Sequence, residues 1–499
     1  MSKMRSENSA KASPTLPLPP PVDSGSDLGA TRGPIAAGKR FERLVPPAQA
    51  TLVTVGVKPE SICYFYHPEA PERRIQLDAD SRGIVRFYAR ALKGAAPTEF
   101  HLECHCAGHA ELHVVSLGTE IRYTQSLSAP ELTSAAVVLG DVRGPLEGDP
   151  LAPTNAELLA KGYPPRPDPQ RSPTQYSRWL RNVLRSFTRI DTRRVAHPEH
   201  SRSKFLRAPE GIKVPDSERA TAKRSLAQAA ASQANANSPN WTGAWYQNPI
   251  NQFAAIQAEW NTPLVFTLDN GPPFSALSEW VGLDNGAGDL YQAGTGSECY
   301  NLFFWEITTY YMWMESLPWS WWVVPGFPVS PGDQISVDIW VADPYGTTFY
   351  QDGDWGGLTP QDNNVWFYLT NATNGASFMG TYPTAPESGG GERSTGFTGT
   401  TAEFILERPS YNYNPAPLAF FLQPALMWNC WYADAQYGEY HMFPLGADDG
   451  SQPFDGQLSY LNMVDPNNNN TLLAFPFSMP DPNNLSDAQA IQFFWMNFQ

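Results

Sequence analysis

The stretch TGTTAEFILERPS, residues 398–410, places a carboxylate inside a β-strand pattern. Because successive side chains on a strand point to opposite faces, Glu403 shares a face with Thr401, Ile405 and Glu407. A glutamate at such a position most often faces water, but it can also act as a general base or acid toward a bound substrate. Glu407 lies about 13 Å from Glu403 along the strand. That is too far for both carboxylates to act on one water molecule, so we expect Glu407 at the surface.

A second group of reactive side chains lies in HLECHCAGHAELH, which contains four histidines, two cysteines and two glutamates. Strand alternation places His101, Glu103 and His105 on one face, and Cys104 and Cys106 on the other. The spacing does not match the paired-ligand patterns of zinc sites. The pattern therefore favours a solvated histidine face opposite buried thiols, and we expect no metal and no other cofactor.

Charge is distributed unevenly between the two halves of the chain. Residues 1–239 hold 32 of the 34 Lys and Arg and 24 of the 50 Asp and Glu, whereas residues 240–499 hold two arginines and 26 acidic residues. The formal net charges are +8 and −24, which together give the −16 of the whole chain. An acidic body so poor in cations repels itself at neutral pH, and its carboxylates begin to protonate below about pH 4. This asymmetry indicates adaptation to acid with a releasable basic partner segment, although acidity can also serve solubility alone.

The N-terminal half divides into three stretches of different composition. Residues 1–42 are rich in Pro, Ser and Gly without periodicity, which predicts a disordered tail. Short alternating runs in residues 43–140 predict a small β-rich module. Residues 141–238 form a Pro- and Arg-rich linker that contains a basic amphipathic helix from about residue 176 to 195.

The basic helix carries six arginines around an apolar stripe. Its apolar side chains at helical spacing are Trp179, Leu180, Val183, Leu184, Phe187 and Ile190. Such a helix can bind membranes or nucleic acid, but the nearest anion is the chain's own C-terminal half. We therefore expect the docking helix of an intramolecular prosegment, and no nucleic-acid partner. The small, polar residues 219–239 predict an exposed hinge and processing site, which would leave a mature domain beginning near Asn240.

The C-terminal half has a different composition, with 15 of the 16 tryptophans and many Asn, Gly and Pro residues. Short strand-like runs alternate with turn residues, which predicts an all-β fold, a two-sheet antiparallel β-sandwich over residues 239–499. No run in the chain reaches the roughly 18 apolar residues of a membrane span.

Seven short blocks along this half carry a resemblance to a known family. They are NWTGAW (240–245), AEWNTP (258–263), SEWVGLDNG (278–286), LYQAGTG (290–296), YMWMESLP (311–318), SPGDQISV (330–337) and TTAEFILE (400–407). In this order the blocks resemble the glutamic peptidases, or eqolisins, of the scytalidoglutamic peptidase type. The resemblance covers roughly residues 239–410.

The resemblance implies an acid-active endopeptidase on a concanavalin-like sandwich, made as a proenzyme and working as a monomer without a cofactor. Its catalytic residues would be Gln292 and Glu403. Residues around the cleft, in supporting or substrate-binding roles, would be Trp280, Asp284, Glu315, Trp313 and Trp241.

The chemistry of the two catalytic residue types fits amide hydrolysis. Hydrolysis needs a base for the attacking water, an acid for the leaving amine and a donor for the developing oxyanion. Glu403 can act as base and then acid in turn, with no covalent intermediate, and a glutamate titrating near pH 4 suits acid conditions better than a histidine. Gln292 offers an NH₂ donor that does not titrate.

The chain departs from the family pattern in several places. The family usually has an acidic residue four positions after the catalytic glutamine, whereas this chain has Gly296 followed by Ser297. About 90 residues beyond the last block have no counterpart in the pattern. The family leads us to expect an extracellular or other acidic compartment, yet residues 1–40 lack the apolar core of a secretory signal peptide. The sequence leaves open whether Cys299 and Cys430 form a disulfide.

Two other functions remain compatible with the sequence. Acidic, Trp-rich sandwiches often bind or cleave sugars, and Glu315 with Glu403 could form a glycosidase pair about 5 Å apart. A catalytically silent binding module is the other alternative. The tryptophans of YMWMESLPWSWWVV, which are Trp313, Trp319, Trp321 and Trp322, either pack in the core or line a cleft for apolar substrate side chains. A peptidase requires Gln292 and a glycosidase does not, so Gln292 separates the two enzymatic readings.

Overall fold

The structure is a computed structural model. It describes residues 50–126, 141–191, 236–342, 364–383, 400–434, 441–444, 457–480 and 489–496, with breaks of at most five residues inside these ranges. The predicted disordered tail, residues 1–42, lies outside the described residues. Among the helices that are described, none is long and apolar enough to cross a membrane.

Residues 51–126 form seven strands, in the region where the alternating pattern predicts them. The strands are β1 (Thr51–Gly56), β2 (Ile62–His67), β3 (Ala70–Asp78), β4 (Ile84–Ala91), β5 (Thr98–Cys106), β6 (His109–Leu117) and β7 (Arg122–Ser126). Five of them make an antiparallel sheet in the order β3-β2-β5-β6-β7, and β1 pairs with β4. Apolar side chains such as Phe65, Phe87 and Phe100 fill the space between these two layers.

The cysteines of this region differ from the expected buried thiols. The facing predicted from alternation is correct, because Phe100, Leu102 and Cys104 are buried while the histidine face is partly exposed. Cys104, however, forms a disulfide with Cys63, its direct cross-strand neighbour on β2. Cys106 is free and only half-buried, because it lies at the last position of β5.

Residues 141–191 form β8 (Asp141–Arg143), α1 (Asn155–Ala160), α2 (Pro173–Val183) and β9 (Phe187–Asp191). The predicted basic helix is therefore too long. It ends at Val183, and the alternating segment FTRID becomes a strand that pairs with both β8 and β20 (Ser377–Pro383). Pairing of this segment with two strands outweighs the helical spacing of Phe187 and Ile190.

Where the structure describes it, the C-terminal half is almost entirely β-structure. Its strands are β10 (Ala236–Ser238), β11 (Trp241–Gln247), β12 (Phe253–Asn261), β13 (Val265–Phe266), β14 (Phe274–Asp284), β15 (Leu290–Leu302), β16 (Trp305–Ser316), β17 (Trp322–Val323), β18 (Gln334–Ala342), β19 (Asn364–Asn371), β20, β21 (Thr401–Glu407), β22 (Ser410–Tyr411), β23 (Asn414–Pro415), β24 (Phe420–Phe421), β25 (Ala425–Asp434), β26 (His441–Pro444), β27 (Gln457–Asp465), β28 (Thr471–Pro480) and β29 (Gln489–Trp495). A short 3₁₀ helix, Pro466–Asn468, follows β27.

These strands form two layers, which confirms the predicted all-β, mostly antiparallel sandwich. The front sheet has the order β4-β16-β15-β14-β21-β11-β27. The back sheet has the order β25-β12-β18-β19-β20-β9. At one edge, β28 and β29 link β27 to β25. Strand β4 comes from the N-terminal region, so the front sheet contains strands from both halves of the chain.

Alternation along the strands defines an inner and an outer face for each sheet. The indole Nε1 of Trp260, on β12, donates to Thr295 Oγ1, on β15, at 2.9 Å, so both side chains lie between the sheets. Gln292 is three residues before Thr295 and therefore points to the outer face of the front sheet. By register, Gly282 and Glu403 belong to that same outer face.

Helix α2 packs on the outer face of the back sheet. Its buried Trp179 and Val183 join Phe187, Trp340 and Trp366 in one apolar cluster. The arginines of α2 and its following turn whose side chains are described, Arg181 and Arg185, are exposed. The helix therefore lies on the far side of the sandwich from the Gln292 face, and not over it as a cleft-docked prosegment would.

Candidate active site

Five residues from five adjacent strands form one row across the outer face of the front sheet. Trp245 is paired with Glu403, Glu403 with Gly282, Gly282 with Gln292, and Gln292 with Glu315. Residues directly opposite each other in antiparallel strands point to the same face. The structure thus brings Gln292, Glu315 and Glu403 together, although they lie up to 111 positions apart in the sequence.

Gly282 leaves a gap between the two predicted catalytic side chains. Its strand β14 separates β15 from β21, and a side chain here would stand between Gln292 and Glu403. A Cβ built on Gly282 would lie 2.9 Å from Trp280 Cζ3, 3.0 Å from Leu290 Cδ1 and 3.3 Å from Glu403 Oε2. The glycine therefore leaves a gap in the row of side chains, and Trp280, Leu290 and Glu403 pack around the position where its Cβ would lie.

The amide of Gln292 is held in a fixed orientation. Its Nε2 donates to Glu315 Oε2 at 2.6 Å, a short bond of the kind that a charged acceptor makes. Its Oε1 has no hydrogen-bond partner among the residues the structure describes. Gln292, Glu315 and Glu403 are each 0% exposed, so these three side chains are closed to solvent in the full-length chain, whereas Trp245 at the end of the row is partly exposed.

Aromatic side chains surround this row. Trp280, Trp313 and Ile405 lie in the next row along the strands, and Trp241 meets Trp280 edge to face with 4.9 Å between ring centroids. With Leu290 they form one apolar cluster on the outer face. The predicted supporting residues Trp241, Trp280 and Trp313 are thus near the predicted dyad. All three are almost completely buried, as expected for side chains that pack in a core.

Glu407 is not at the surface, contrary to the prediction from strand alternation. It is 1% exposed, accepts a hydrogen bond from Trp280 Nε1 at 2.8 Å, and accepts another from Asn240 Nδ2 at 3.3 Å. The expectation was wrong because the outer face of the front sheet is covered, so that the whole of β21 is buried. Glu407 nevertheless lies in a different row from Glu403, opposite Ser278, so the two carboxyls do not meet.

The position four residues after the glutamine, where the family pattern has an acidic residue, is Gly296 in this chain, and a carboxyl lies nearby at Glu298. Glu298 lies two residues beyond Gly296 on the same face, and Tyr311 Oη donates to its Oε1 at 2.8 Å. The ring of Tyr311 occupies the space beside Gly296, where a Cβ would approach its Cζ to 2.4 Å. Tyr300 Oη also donates to Glu298.

Glu279, on the inner face of β14, is a buried carboxyl that the sequence reading did not single out. It lies opposite Thr295 in the core between the sheets, and neither carboxyl oxygen has a hydrogen-bond partner within the described part of the chain. Burial raises the pKa of Glu279 well above its ordinary value. The carboxyl is therefore neutral in acid, and its ionisation at higher pH destabilises the folded state.

Two of the residues singled out from the sequence are not fully described by the structure. The backbone of Asp284 pairs with Leu290 and Thr401, one row beyond the dyad, but its side chain is not described, and neither is Trp319. Cys299 and Cys430 are both buried, and no disulfide joins them. Within the described ranges, no group of three or more His, Cys, Asp or Glu residues could hold a metal ion.

A carboxylate and an oriented amide thus lie on one face of the front sheet, on the two strands that flank Gly282. The model of the Peptidase A4 family matches residues 239–352, a region that contains Gln292 and Glu315 and ends before Glu403. This match over part of the chain supports the resemblance to the glutamic peptidases that the sequence blocks carry.

Solved structures that resemble the chain are glutamic peptidases. Scytalido-glutamic peptidase with a transition state analog inhibitor matches with 20% identity and a TM-score of 0.34, over 52% of this chain and 98% of the other. SCP-B, a member of the eqolisin family in complex with the tripeptide Ala-Ile-His, has 19% identity, a TM-score of 0.33 and the same coverage. Aspergilloglutamic peptidase from Aspergillus niger has 16% identity and a TM-score of 0.29, over 44% and 99%. A search of curated proteins found no match.

Sequence reasoning missed four residues of this face: Trp245, Gly282, Glu298 and Tyr311. A signal for Gly282 was present, because a glycine inside the strand SEWVGLD often marks a close approach or a space needed by a neighbour. The other three depend on the register between strands, which the sequence of a single strand does not contain.

Proposed function

We propose that this chain is an acid-active endopeptidase in which Glu403 and Gln292 activate a water molecule for direct attack on a peptide bond. The observation that carries the proposal is the row Glu403, Gly282, Gln292 and Glu315, in register on one face of the front sheet. The gap at Gly282 is the place where a water molecule and the scissile carbonyl would meet the two side chains.

Each group in the row has a chemical task in this mechanism. Glu403 takes a proton from the attacking water and later passes it to the leaving amine. Gln292 uses one N–H of its Nε2 on Glu315, which leaves the second N–H for the developing oxyanion and Oε1 for the water. Glu315 fixes which side of the amide carries the donors. No covalent intermediate is required.

Acid activity follows from the ordinary titration range of glutamate. A general base works best when its pKa lies near the working pH, and glutamates ordinarily titrate near pH 4. The disulfide between Cys63 and Cys104 agrees with the extracellular or other oxidising, acidic compartment that the family suggests. Protein and peptide substrates follow from the peptidase class.

We further propose that the full-length chain is a proenzyme. Support comes from the complete burial of Gln292, Glu315 and Glu403, since no substrate can reach a closed site. Cleavage near Asn240, as the sequence suggested, is not supported, because Ser238 and Asn240 are 0% exposed and Ala236–Ser238 pairs with β27. The proposed cut therefore lies within residues 192–235, outside the described residues.

The glycosidase alternative has less support. Glu315 and Glu403 lie on strands three spacings apart, which is about 14 Å between their backbones. Gln292 stands between them and its Nε2 binds Glu315, so the pair does not form the two facing carboxyls that a retaining glycosidase needs.

The test is cleavage of a denatured protein substrate between pH 2 and pH 7. Wild type should cleave in acid, and Glu403→Gln and Gln292→Ala should each lose at least about 10²-fold in kcat, because removal of one oxyanion donor alone costs that much. The matched control is Glu259→Gln, which changes a carboxylate on the back sheet that binds Asn429 and Gln334. Full activity of Glu403→Gln, or an equal loss in the control, would overturn the proposal.

A further inference from the structure

We propose that Glu407 is a positioning residue of the active site, which fixes the indole of Trp280 against the dyad gap and is itself anchored by Asn240. This inference rests on the proposed function. It assigns the buried Glu407 a role at a distance from the reacting atoms, and it assigns residues 236–240 to the catalytic domain.

The first step is the contact between Glu407 and Trp280. Trp280 Nε1 donates to Glu407 Oε2 at 2.8 Å, and both side chains are essentially unexposed. A hydrogen bond to a charged acceptor in such surroundings contributes more than a neutral one, and it selects one of the orientations open to an indole ring. Trp241 then packs against the ring edge to face, so the indole is held from two sides.

The second step is the position of the ring relative to the dyad. A Cβ built on Gly282 would lie 2.9 Å from Trp280 Cζ3 and 3.3 Å from Glu403 Oε2. The six-membered ring of Trp280 therefore borders the same small space as the Glu403 carboxyl. A ring that turned about its side-chain bonds would enter or leave the gap where the water has to lie.

The third step is the anchor of Glu407 at the start of β11. Asn240 Nδ2 donates to Glu407 Oε1 at 3.3 Å, and Ser238 Oγ donates to Asn240 Oδ1 at 2.9 Å, which sets the direction of the amide. Arg408 N donates to the Asn240 carbonyl at 3.0 Å, and the Arg408 guanidinium donates through Nε to the Pro239 carbonyl. Residues 238–240 are thus bound at several points to the end of β21.

These contacts connect the segment before β11 with the reacting groups. Hydrogen bonds and van der Waals contacts run without interruption from Ser238 through Asn240, Glu407 and Trp280 to the gap at Gly282. A misplacement of about 1 Å at a reacting centre can cost about 10²-fold in rate. Substitutions of residues in this series of contacts should consequently lower kcat more than they raise KM.

A reciprocal exchange of acid and amide tests the proposal in the full-length protein and in its acid-treated form. Glu407→Gln leaves one acceptor for two donors, and Asn240→Asp places two carboxyls against each other. In the double variant Asn240→Asp/Glu407→Gln, the new amide at position 407 can donate to position 240 and still accept from Trp280. The matched control is Thr242→Val, which removes a buried hydrogen bond to the Leu461 carbonyl on the other face of β11.

Two readouts are measured well below the unfolding temperature. Fluorine NMR of protein labelled with 5-fluorotryptophan reports the environment of Trp280, whose signal is assigned by its loss in Trp280→Phe. Peptide cleavage gives kcat and KM. We expect both single variants to shift the Trp280 signal and to lose about 10-fold to 100-fold in kcat, with KM changed by less than about 3-fold. The double variant should recover most of both, and Thr242→Val should change neither.

The outcomes separate this inference from the proposed function. If wild type cleaves no peptide, the proposed function fails, and the fluorine signals alone decide whether Glu407 positions Trp280. An unmoved Trp280 signal in both single variants would overturn the inference. So would a loss of kcat that the double variant does not recover, or an equal loss in Thr242→Val.

Discussion

At the scale of single residues, the smallest side chain of the site carries one of the clearest predictions. Gly282→Ala puts a methyl group into the gap, 2.9 Å from Trp280 Cζ3 and 3.3 Å from Glu403 Oε2. The methyl displaces the attacking water and shifts Glu403, so we expect kcat to fall by about 10²-fold. Steady-state cleavage kinetics at acid pH measure the change.

The control for this glycine change is Gly56→Ala. Gly56 ends β1, and a Cβ there would meet nothing within 4 Å. We expect it to leave kcat unchanged. If Gly282→Ala retained full activity while remaining folded, the gap would have no part in catalysis.

Glu279 predicts how stability depends on pH. Its folded-state pKa is raised by burial well above the ordinary 4.5, so the folded state keeps a proton that the unfolded state loses. The contribution of Glu279 to the free energy of unfolding is therefore greatest below about pH 4.5 and is lost as the pH rises through its folded-state pKa. Glu279→Gln should flatten this dependence and stabilise the protein at pH 7, as measured by denaturant unfolding at pH 3 and pH 7. A dependence as steep in the variant as in wild type would contradict the assignment.

At the scale of secondary-structure elements, the pairing of β4 with β16 joins the two halves of the chain. Arg90 on β4 and Glu306 on β16 form a buried ion pair at 2.8 Å, and Arg90 Nη2 also donates to the Thr267 carbonyl at 2.5 Å. Burial raises the pKa of Glu306, and Arg90 opposes that shift. Because both side chains are buried, each charge is stabilised by its partner where it would otherwise be stabilised by water.

Removal of Arg90 should therefore be costly and dependent on pH. Arg90→Met leaves Glu306 buried without its cation, and we expect a loss of about 3–5 kcal/mol at pH 7. The loss should shrink below about pH 4.5, where Glu306 is protonated in both states. Arg86→Met on the same strand is the control, because its pair with Asp80 is partly exposed and worth about 0–1 kcal/mol. Equal, small losses in both variants would show that β4 is not fixed by this pair.

The elements also show where sequence reasoning succeeds and where it stops. Alternation along TTAEFILE predicted a strand and the shared face of Glu403 and Glu407, because both follow from the geometry of one strand. It did not predict that Glu407 is buried, which depends on what covers the sheet. The helix predicted to residue 195 ended at Val183, because FTRID pairs with residues of β20 that lie 190 positions away.

The family resemblance predicted more of the site than periodicity could. It selected Gln292 and Glu403 from among many polar residues, and the strand register then aligned both across Gly282. Trp245 and Tyr311 were not selected, since their nearness to this row depends on pairing between strands distant in sequence. The far-side packing of α2 was equally beyond prediction, because it depends on apolar contacts with Trp340 and Trp366 on strands distant in sequence.

At the scale of the whole molecule, a cut within residues 192–235 should not separate the two halves. The N-terminal part is held by β4 on the front sheet, by β9 on the back sheet and by the apolar cluster around Trp179. We expect a chain cut at a specific protease site inserted in residues 192–235 to elute in size-exclusion chromatography as one species of uncut size. An N-terminal fragment that elutes separately under native conditions would contradict this arrangement.

The joint action of Gln292 and Glu403 on one water molecule can be tested by the pH profile of kcat/KM for Gln292→Glu. A protonated carboxyl can replace the amide as donor, whereas an ionised one cannot donate and repels the oxyanion. We expect the variant to keep measurable activity only at the acid end, with its optimum shifted to lower pH than that of wild type. A variant whose profile matches wild type in height and position would show that Gln292 does not serve as the donor, and the account would be wrong.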